Sequence, residues 1–484
     1  MGDYINLNSR LRLIKGQNPA NMVFGNSFSA DGLPDKTFDY PLSNPPFGVE
    51  WKKVETAIRD EYERQGNSGR FGAGLPPISD GSLLFLQHMI SKMKDPQDGG
   101  SRLAIVFNGS PLFSGGAGSG TSDIRRWIIE NDWLEAIIAL PDQLFYNTGI
   151  STYIWVLNNK KNQPKDERIH KDRRGKVQLV NATGAEAADK GNPFYLKMLR
   201  SLGDKRKLIG DKDEENQPDQ IGYITKLYFE FEENEYCKIF DNHAFGYWRV
   251  TVERPLRLNF QTNAERLAKV QDLHDKVFRE YEKKLEAITE TDERKREILK
   301  DAARKDYEKK RPFTPPEIAA VWDVLAIHLD NHKFYKDRAK FLPDFERALK
   351  DGRFRPTPAQ KKMILNALAE RDQTAEICRD KNGNPEPDPE LRDAENVPLR
   401  YVPERDEHGA DVLDREAIDD YFRKEVTPHV PDAWIDYTKT KVGYEVNFTK
   451  YFYKYKPLRS LAEIRADILA LEAETDGMIK AVIA

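Results

Sequence analysis

The first third of the chain alternates short apolar segments with amphipathic ones, and this alternation constrains the fold more than any other feature of the sequence. Residues 101–107, 134–141 and 151–157 are near-continuous apolar runs of strand length, as is typical of strands buried on both faces. Residues 80–93 and 124–130 carry apolar side chains at helical spacing. Strands that alternate with helices predict an open α/β sheet, in which ligands bind at the carboxyl ends of the strands.

The tetrapeptide Asn44-Pro45-Pro46-Phe47 follows a segment, 38–43, that we predict to be a strand ending in a turn. The side-chain oxygen of Asn44 and the backbone carbonyl of Pro45 can each accept one N–H of a planar NH2 group, which frees the nitrogen lone pair to attack an electrophile. The prolines fix the backbone, and the ring of Phe47 offers a face on which a base can stack. The pattern favours methylation of a poorly nucleophilic amine. The alternative is a plain surface turn, because Asn and Pro are ordinary turn formers.

The charge balance and the cysteine content bear on the class of protein. With 76 Lys and Arg against 80 Asp and Glu, the formal net charge is -4, which lacks the basic bias of a dedicated DNA-binding protein but leaves room for a local basic face. Cys237 and Cys378 lie far apart and the eight histidines show no ligand spacing, so neither a disulfide framework nor a metal site is predicted.

No apolar run reaches the length of a membrane span, and the first residues carry no signal pattern. We therefore expect a cytoplasmic protein with no membrane partner.

Several motifs together closely resemble the modification (methyltransferase) subunit of type I restriction–modification systems, a family of N6-adenine DNA methyltransferases. The segments that carry the resemblance are 38–48, 80–85, 109–113, 145–149, 434–436 and 441–448. The resemblance implies transfer of a methyl group from S-adenosylmethionine to N6 of an adenine in double-stranded DNA, after the base has left the stack. It also implies that a specificity subunit reads the DNA sequence and that a restriction subunit belongs to the same system.

The same resemblance assigns roles to particular residues. The catalytic set that it implies is Asn44, Pro45, Pro46 and Phe47. The residues that would wall in the extruded adenine are Phe145, Tyr146 and Asn147. For the two rings of this turn, the alternative is a hydrophobic plug at a strand end. Asn26, near the end of a strand predicted for 21–28, would contact the adenine of the cofactor, and its alternative is an ordinary turn residue.

One departure from the family pattern concerns the cofactor. A sheet of this type carries a glycine-rich turn after its first strand, and residues 1–17 are too few to hold two strands and their helix. Neither 72–74 nor 116–120 has the position and spacing of that glycine motif. We therefore expect a partial Rossmann-like sheet that lacks its first strands, followed by a largely helical carboxyl-terminal region. The chain is expected to be a fragment that alone binds S-adenosylmethionine weakly or not at all.

Composition predicts a division of the chain into consecutive parts. Residues 1–158 are expected to form the carboxyl-terminal part of the catalytic domain, and 159–263 a polar linker with a small β-containing segment. Residues 264–379 are heavily charged with apolar side chains at helical spacing, which predicts a helical region. Residues 380–484 are expected to form a proline-rich extended loop, to about residue 403, and a helical tail that docks on the specificity subunit.

The tail contains a regular apolar stripe. Its members recur at alternating intervals of three and four residues, with one polar interruption at Thr475: Leu461, Ile464, Ile468, Leu471, Met478 and Val482. This spacing is that of a coiled-coil seam. The seam could close on the chain's own helices, whereas the resemblance favours docking on the helical spacer of the specificity subunit.

Two further functions stay open. A related Asn-Pro-Pro-aromatic turn serves glutamine methyltransferases that act on protein release factors, although that family is shorter and lacks the long helical tail. The other alternative is a non-catalytic scaffold that binds the specificity subunit through 461–482. Methylated glutamine in a substrate protein would favour the first alternative, and co-purification with a partner without methyl transfer would favour the second.

Overall fold

The computed structural model describes residues 23–146, 148–161, 171–184, 191–289, 292–453, 455 and 458–483. These residues form two compact units, each assembled from separate stretches of the chain. The first unit consists of the described parts of Met1–Arg249, Asn396–Ala417 and Lys441–Ala484. The second unit consists of the described parts of Val250–Glu395 and Ile418–Thr440.

The strands are β1 (Leu42–Ser43), β2 (Arg102–Phe107), β3 (Leu134–Leu140), β4 (Thr152–Asn158), β5 (Lys176–Asn181), β6 (Leu196–Leu202), β7 (Lys205–Leu208), β8 (Cys237–Asp241), β9 (Gly246–Glu253), β10 (Leu258–Phe260), β11 (Ala369–Arg371), β12 (Asp393–Pro398) and β13 (Trp434–Tyr444). The α-helices are α1 (Glu55–Gln65), α2 (Ser82–Ile90), α3 (Ser110–Phe113), α4 (Gly120–Glu130), α5 (Gln220–Glu230), α6 (Ala264–Glu286), α7 (Glu293–Lys310), α8 (Pro315–His328), α9 (Arg338–Asp351), α10 (Pro358–Leu368), α11 (Arg415–Tyr421), α12 (Phe448–Phe452) and α13 (Leu461–Ile483). Within the described ranges, no helix combines the length and the apolar character needed to cross a membrane.

A mixed six-stranded sheet forms the centre of the first unit, with the strand order β1-β2-β4-β3-β5-β8. Strands β1 and β2 are parallel, as are β3 and β5, whereas β4 runs antiparallel to both β2 and β3. The predicted open α/β sheet is confirmed, and the antiparallel direction of β4 is the feature that the prediction lacked. Its physical reason is the connection from β3 to β4, which covers only residues 141–151. A parallel crossover with its helix needs a dozen or more residues.

Two predicted elements are corrected by the structure. The strand predicted for 21–28 is absent from its described part, 23–28, which forms turns. Phe28 is buried there against Phe71 and Phe85, with ring centroids 6.0 Å and 4.6 Å away, so its apolar character serves packing and not a strand. The extended loop predicted for 380–403 contains strand β12, because a neighbouring strand pairs with it in a sheet of order β12-β9-β13.

Each unit has its own apolar core. In the first unit, every side chain of β3 is buried, as the near-continuous apolar run at 134–140 predicts for a central strand. In the second unit, the predicted helical region packs around stacked rings. Phe341 lies 4.7 Å from Phe260 and 5.6 Å from Phe345 between ring centroids, and all three side chains are almost wholly buried.

A buried arginine ties the end of β13 to the first unit. Arg125 of α4 is 0% exposed and donates hydrogen bonds to three backbone carbonyls: Tyr444 at 2.6 Å, Pro111 at 3.0 Å and Gly115 at 3.1 Å. Arg125 and Tyr444 are 319 residues apart in the sequence. Tyr444 is therefore part of the first unit, although it lies far from the rest of that unit in the sequence.

Candidate functional site

One edge of the central sheet collects the carboxyl ends of β1, β2 and β3 together with the beginning of β4. The register defines this edge, since Ser43 pairs with Ile105 and Phe107 pairs with Tyr153. Leu140, the last residue of β3, pairs with Thr152. This is the edge at which open α/β sheets bind ligands, and the Asn-Pro-Pro-Phe turn leaves β1 there.

The turn presents two oxygen acceptors. Asn44 is exposed, Pro45 is buried and Phe47 is half-buried. Among the residues that the structure describes, neither the side-chain oxygen of Asn44 nor the carbonyl of Pro45 accepts a hydrogen bond. Asn44 is therefore accessible to a ligand, whereas the carbonyl of Pro45 belongs to a buried residue, and the prolines fix the backbone between the two acceptors.

The chain on both sides of the turn is anchored. Ahead of it, β1 pairs with β2. Behind it, Gly48 adopts a φ of 62°, a left-handed conformation that glycine takes without a steric penalty. The carbonyl of Val49 then accepts the N–H of Gly81 at 2.9 Å, and the buried Trp51 donates its indole N–H to the carbonyl of Pro77 at 2.9 Å. These contacts fix the direction in which the turn faces, as a preorganised site requires.

The second predicted turn follows β3 at the same edge. Phe145 is partly buried against the apolar cluster that contains Ile138 and Leu140, so its ring has the plug-like packing that the sequence left as an alternative. Tyr146 is 61% exposed, with the ammonium group of Lys205 at 4.8 Å from its ring centroid. Asn147 lies outside the described residues. In sheet order β3 is three strands from β1, or about 14 Å at a spacing of about 4.8 Å per strand.

Tyr153 lies between these two turns and was missed by the reasoning from sequence. It begins β4 at the ligand edge because β4 is antiparallel, and its ring contacts that of Phe448 with centroids 5.4 Å apart. A side chain added at Gly109, just after β2, would meet the Tyr153 ring at 3.6 Å. Burial raises the pKa of the Tyr153 hydroxyl, which keeps it neutral at neutral pH. The short β3–β4 connection was the available signal, since it indicates an antiparallel strand.

Asn26 has a local role in the structure. Its side-chain oxygen accepts the N–H of Phe28 at 3.0 Å, the hydrogen bond of an Asx turn. Arg70 holds this segment by donating to the carbonyls of Ser27 and Phe28 at 2.7 Å and 2.9 Å. In the described part of the chain, no hydrogen bond or ring contact joins Asn26 to residues 44–47.

The predicted seam lies on α13. Its four members whose side chains are described are exposed by 85%, 39%, 61% and 67%, in the order Leu461, Ile464, Ile468 and Leu471. The side chains of Met478 and Val482 lie outside the described residues. An apolar stripe this exposed over three helical turns is not closed by the described helices of its own chain.

Comparisons with known proteins bear on what this edge does. The model of the N-6 DNA Methylase family matches residues 5–237, a segment that includes β1 to β5 and both turns. This part of the chain is similar to the N-6 DNA methylase family. The matched segment contains the Asn-Pro-Pro-Phe turn at the carboxyl end of a sheet strand.

Proteins similar to part of this chain include methylase subunits of type I restriction enzymes. The methylase subunit of the type I restriction enzyme MjaIX from Methanocaldococcus jannaschii is 25% identical over 218 residues, which are 44% of this chain and 36% of the relative. The corresponding HindI subunit from Haemophilus influenzae is 30% identical over 157 residues, or 32% of this chain and 30% of the relative. The chain thus spans about a third of the length of these curated relatives.

Solved structures similar to the chain include the methyltransferase subunit of a type I restriction–modification system from Streptococcus thermophilus. That structure is 21% identical, with a TM-score of 0.34, and the similar region covers 48% of this chain and 41% of the other. Among the described residues, no group of three or more His, Cys, Asp or Glu side chains is placed to hold a metal ion.

Proposed function

We propose that this chain carries the target-base side of an N6-adenine DNA methyltransferase, which transfers a methyl group from S-adenosylmethionine to N6 of adenine in double-stranded DNA. The observation that carries the proposal is the pair of acceptors at the end of β1, the Asn44 side-chain oxygen and the Pro45 carbonyl, which accept no hydrogen bond from the described residues. The match of 5–237 to the model of the N-6 DNA methylase family supports it.

The chemistry follows from those two acceptors. The N6 amino group of adenine donates one N–H to Asn44 and the other to Pro45, so that the nitrogen becomes pyramidal and its lone pair is freed from the ring. Phe47 stacks on the extruded base, and leaving the duplex stack costs a few kcal/mol. Tyr146 and Tyr153 supply further aromatic surface along the same edge. Pro46 contributes by fixing φ within the turn.

S-adenosylmethionine, when bound, supplies an electrophilic methyl group on a positively charged sulfur. Of the described residues, Asn26 is the one we assign to its adenine. The turn at Asn26 uses the side-chain oxygen, and within the described residues the side-chain amide nitrogen donates no hydrogen bond, so it could donate to a ring nitrogen of the cofactor.

The test of the proposal is Asn44→Ala, assayed in the complete complex with its specificity subunit. Removing one acceptor from a preorganised electrostatic site lowers rates by about 100-fold or more, whereas DNA affinity should change little. Transfer of a labelled methyl group into DNA gives the rate, and a fluorescence titration gives the affinity. Asn67→Ala is the matched control, since Asn67 is an exposed residue of the 3-10 helix Gly66–Ser68, outside the Asn-Pro-Pro-Phe turn. A rate for Asn44→Ala close to that of the control contradicts the role of Asn44.

The exposed seam on α13 supports a second part of the proposal. We assign it to docking on a helical segment of the specificity subunit, in an assembly that also holds a restriction subunit. Seam residues at spacing three and four fit a partner helix, and the described members are exposed.

This assignment predicts that Ile468→Asp prevents co-purification with the specificity subunit. An aspartate at a seam position would lie against the apolar face of the partner helix, whereas an aspartate on the opposite face of α13 would lie in water. Ala466→Asp is therefore the matched control and should leave the complex intact. Equal recovery of the complex with both variants would contradict docking through the seam.

A further inference from the structure

A small basic hairpin lies outside the central sheet. Strands β6 and β7 pair antiparallel with each other and form a sheet of their own, and Gly203 turns between them with a φ of 64°. Within 196–208 the basic residues are Lys197, Arg200, Lys205, Arg206 and Lys207, against the single acidic Asp204. The full chain has a net charge of -4, so this hairpin is a local reversal of charge.

The arrangement of the lysines is electrostatically unfavourable without a partner. Lys197 pairs directly with Lys207 across the hairpin, which places both side chains on one face. Lys205 shares that face, because alternate residues of a strand point the same way. Like charges directly opposite each other destabilise a strand pair. Within the chain, Asp142 neutralises Lys207, while Lys197 has no carboxylate partner among the residues described.

The hairpin is fixed to the ligand edge of the central sheet. The carbonyl of Gln143, three residues beyond β3, accepts the N–H groups of Arg206 and Lys207 at 2.9 Å and 3.1 Å. Lys205 lies over the ring of Tyr146 at 4.8 Å. The basic strand β7 therefore sits against the turn that would border the extruded base.

Three of the five basic side chains of the hairpin are exposed, and they lie on both of its faces, because Arg206 alternates with Lys205 and Lys207. Lys197, Arg200 and Arg206 are exposed, and in the described residues none of them has an ion-pair partner. Leu199 beside them is fully exposed. Exposed cations with no internal partner, held beside a site for a nucleic acid base, have the charge complementary to a phosphate backbone.

We propose that the β6–β7 hairpin grips the sugar-phosphate backbone of DNA beside the extruded adenine, with Lys197, Arg200 and Arg206 on phosphates. This inference rests on the proposed function of the Asn44 turn. The hairpin reads no sequence, since phosphate contacts position the protein without specifying bases. Asp142 offsets the charge of Lys207, and a bound polyanion would offset that of Lys197 across the strand pair.

The experiment compares the triple variant Lys197→Gln, Arg200→Gln, Arg206→Gln with the native chain, each in the complete complex with the specificity subunit. DNA affinity is measured at a series of salt concentrations. The salt slope of log affinity falls by about 0.9 per phosphate contact, so the slope of the triple variant should be smaller by about 2.7. Its affinity at low salt should fall at least 10-fold.

Two controls separate charge from folding. The variant Lys197→Arg, Arg200→Lys, Arg206→Lys keeps the charges and should keep the native slope. The variant Arg294→Gln, Lys295→Gln, Lys309→Gln removes three exposed charges from α7 and should also keep it. A triple hairpin variant with native slope and affinity overturns the inference.

The same data distinguish the hairpin from the base site. If the native complex methylates adenine and the hairpin variant binds DNA normally, the hairpin inference fails and the proposed function stands. If the native complex transfers no methyl group to adenine, the proposed function fails first. If the triple hairpin variant loses binding to an acidic protein while its binding to DNA is unchanged, the inference is also refuted.

Discussion

Replacing Arg125 with Met tests how much of the first unit depends on one buried guanidinium. Methionine can fill the space of the aliphatic stem but donates no hydrogen bond. The carbonyls of Pro111 and Gly115 then lose this donor, and that of Tyr444 keeps only a long hydrogen bond of 3.5 Å from the hydroxyl of Ser122. The change therefore leaves two acceptors unsatisfied and weakens a third, with little loss of apolar packing.

The expected cost follows from the two acceptors that lose their donor. A buried acceptor left unpaired costs about 1–3 kcal/mol, so two would cost about 2–6 kcal/mol if neither found water. Burial lowers the pKa of Arg125 to about 10, so the native site holds the charge against a desolvation penalty. Removing the charge also removes that penalty, and we therefore expect the lower part of the range, about 2–4 kcal/mol.

Urea unfolding followed by circular dichroism measures the free energy of unfolding of the variant. Arg64→Met is the control, because the pair of Arg64 with Asp60, four residues earlier in α1, is exposed on both sides, and such pairs are worth about 0.5 kcal/mol or less. If Arg125→Met and Arg64→Met cost the same, the carbonyl contacts of Arg125 do not stabilise the unit.

Three further predictions concern the turn, a histidine and the second core. Gly48→Ala forces a side chain into a left-handed conformation and should cost about 1 kcal/mol in thermal unfolding, whereas a stability equal to native would mean that the turn relaxes. Burial lowers the pKa of His88, so the unfolded state binds the proton first and the free energy of unfolding should fall as pH drops below about 6.5. His88→Gln should flatten that dependence between pH 7 and 5.5, and an unchanged slope would exclude His88 as its source. Phe345→Ala removes a fully buried ring and should destabilise the second unit by about 3–5 kcal/mol in denaturant unfolding, while a loss below 1 kcal/mol would contradict the packing.

The apolar runs predicted the central strands because a strand buried on both faces must be apolar throughout. Strands β2, β3 and β4 lie where the runs at 101–107, 134–141 and 151–157 predict them. The Asn44 turn follows a strand as predicted, but of the strand predicted for 38–43 only β1, Leu42–Ser43, forms, and Leu42 is exposed.

Long-range pairing was not visible in local patterns. Strand β12 lies in a proline-rich, acidic segment and exists through its partner β9. The wrong strand at 21–28 had apolar residues that serve the packing of Phe28. Tyr153 was missed because its position depends on the direction of β4, and only the length of a connection indicated it. The roles of Asn44, Phe145, Tyr146 and Asn26 stay predictions.

The contact between Arg125 and Tyr444 also sets an order for synthesis. A ribosome that has released β1 to β5 has not yet made the residue whose carbonyl receives the Arg125 side chain, because 319 residues separate the two. The early part of the first unit must wait, with a buried cation lacking one acceptor, while the whole second unit emerges. Closing so long a loop is slow and exposes intermediates to aggregation. Expression of the chain should therefore depend on chaperones that hold the nascent sheet until residue 444 arrives.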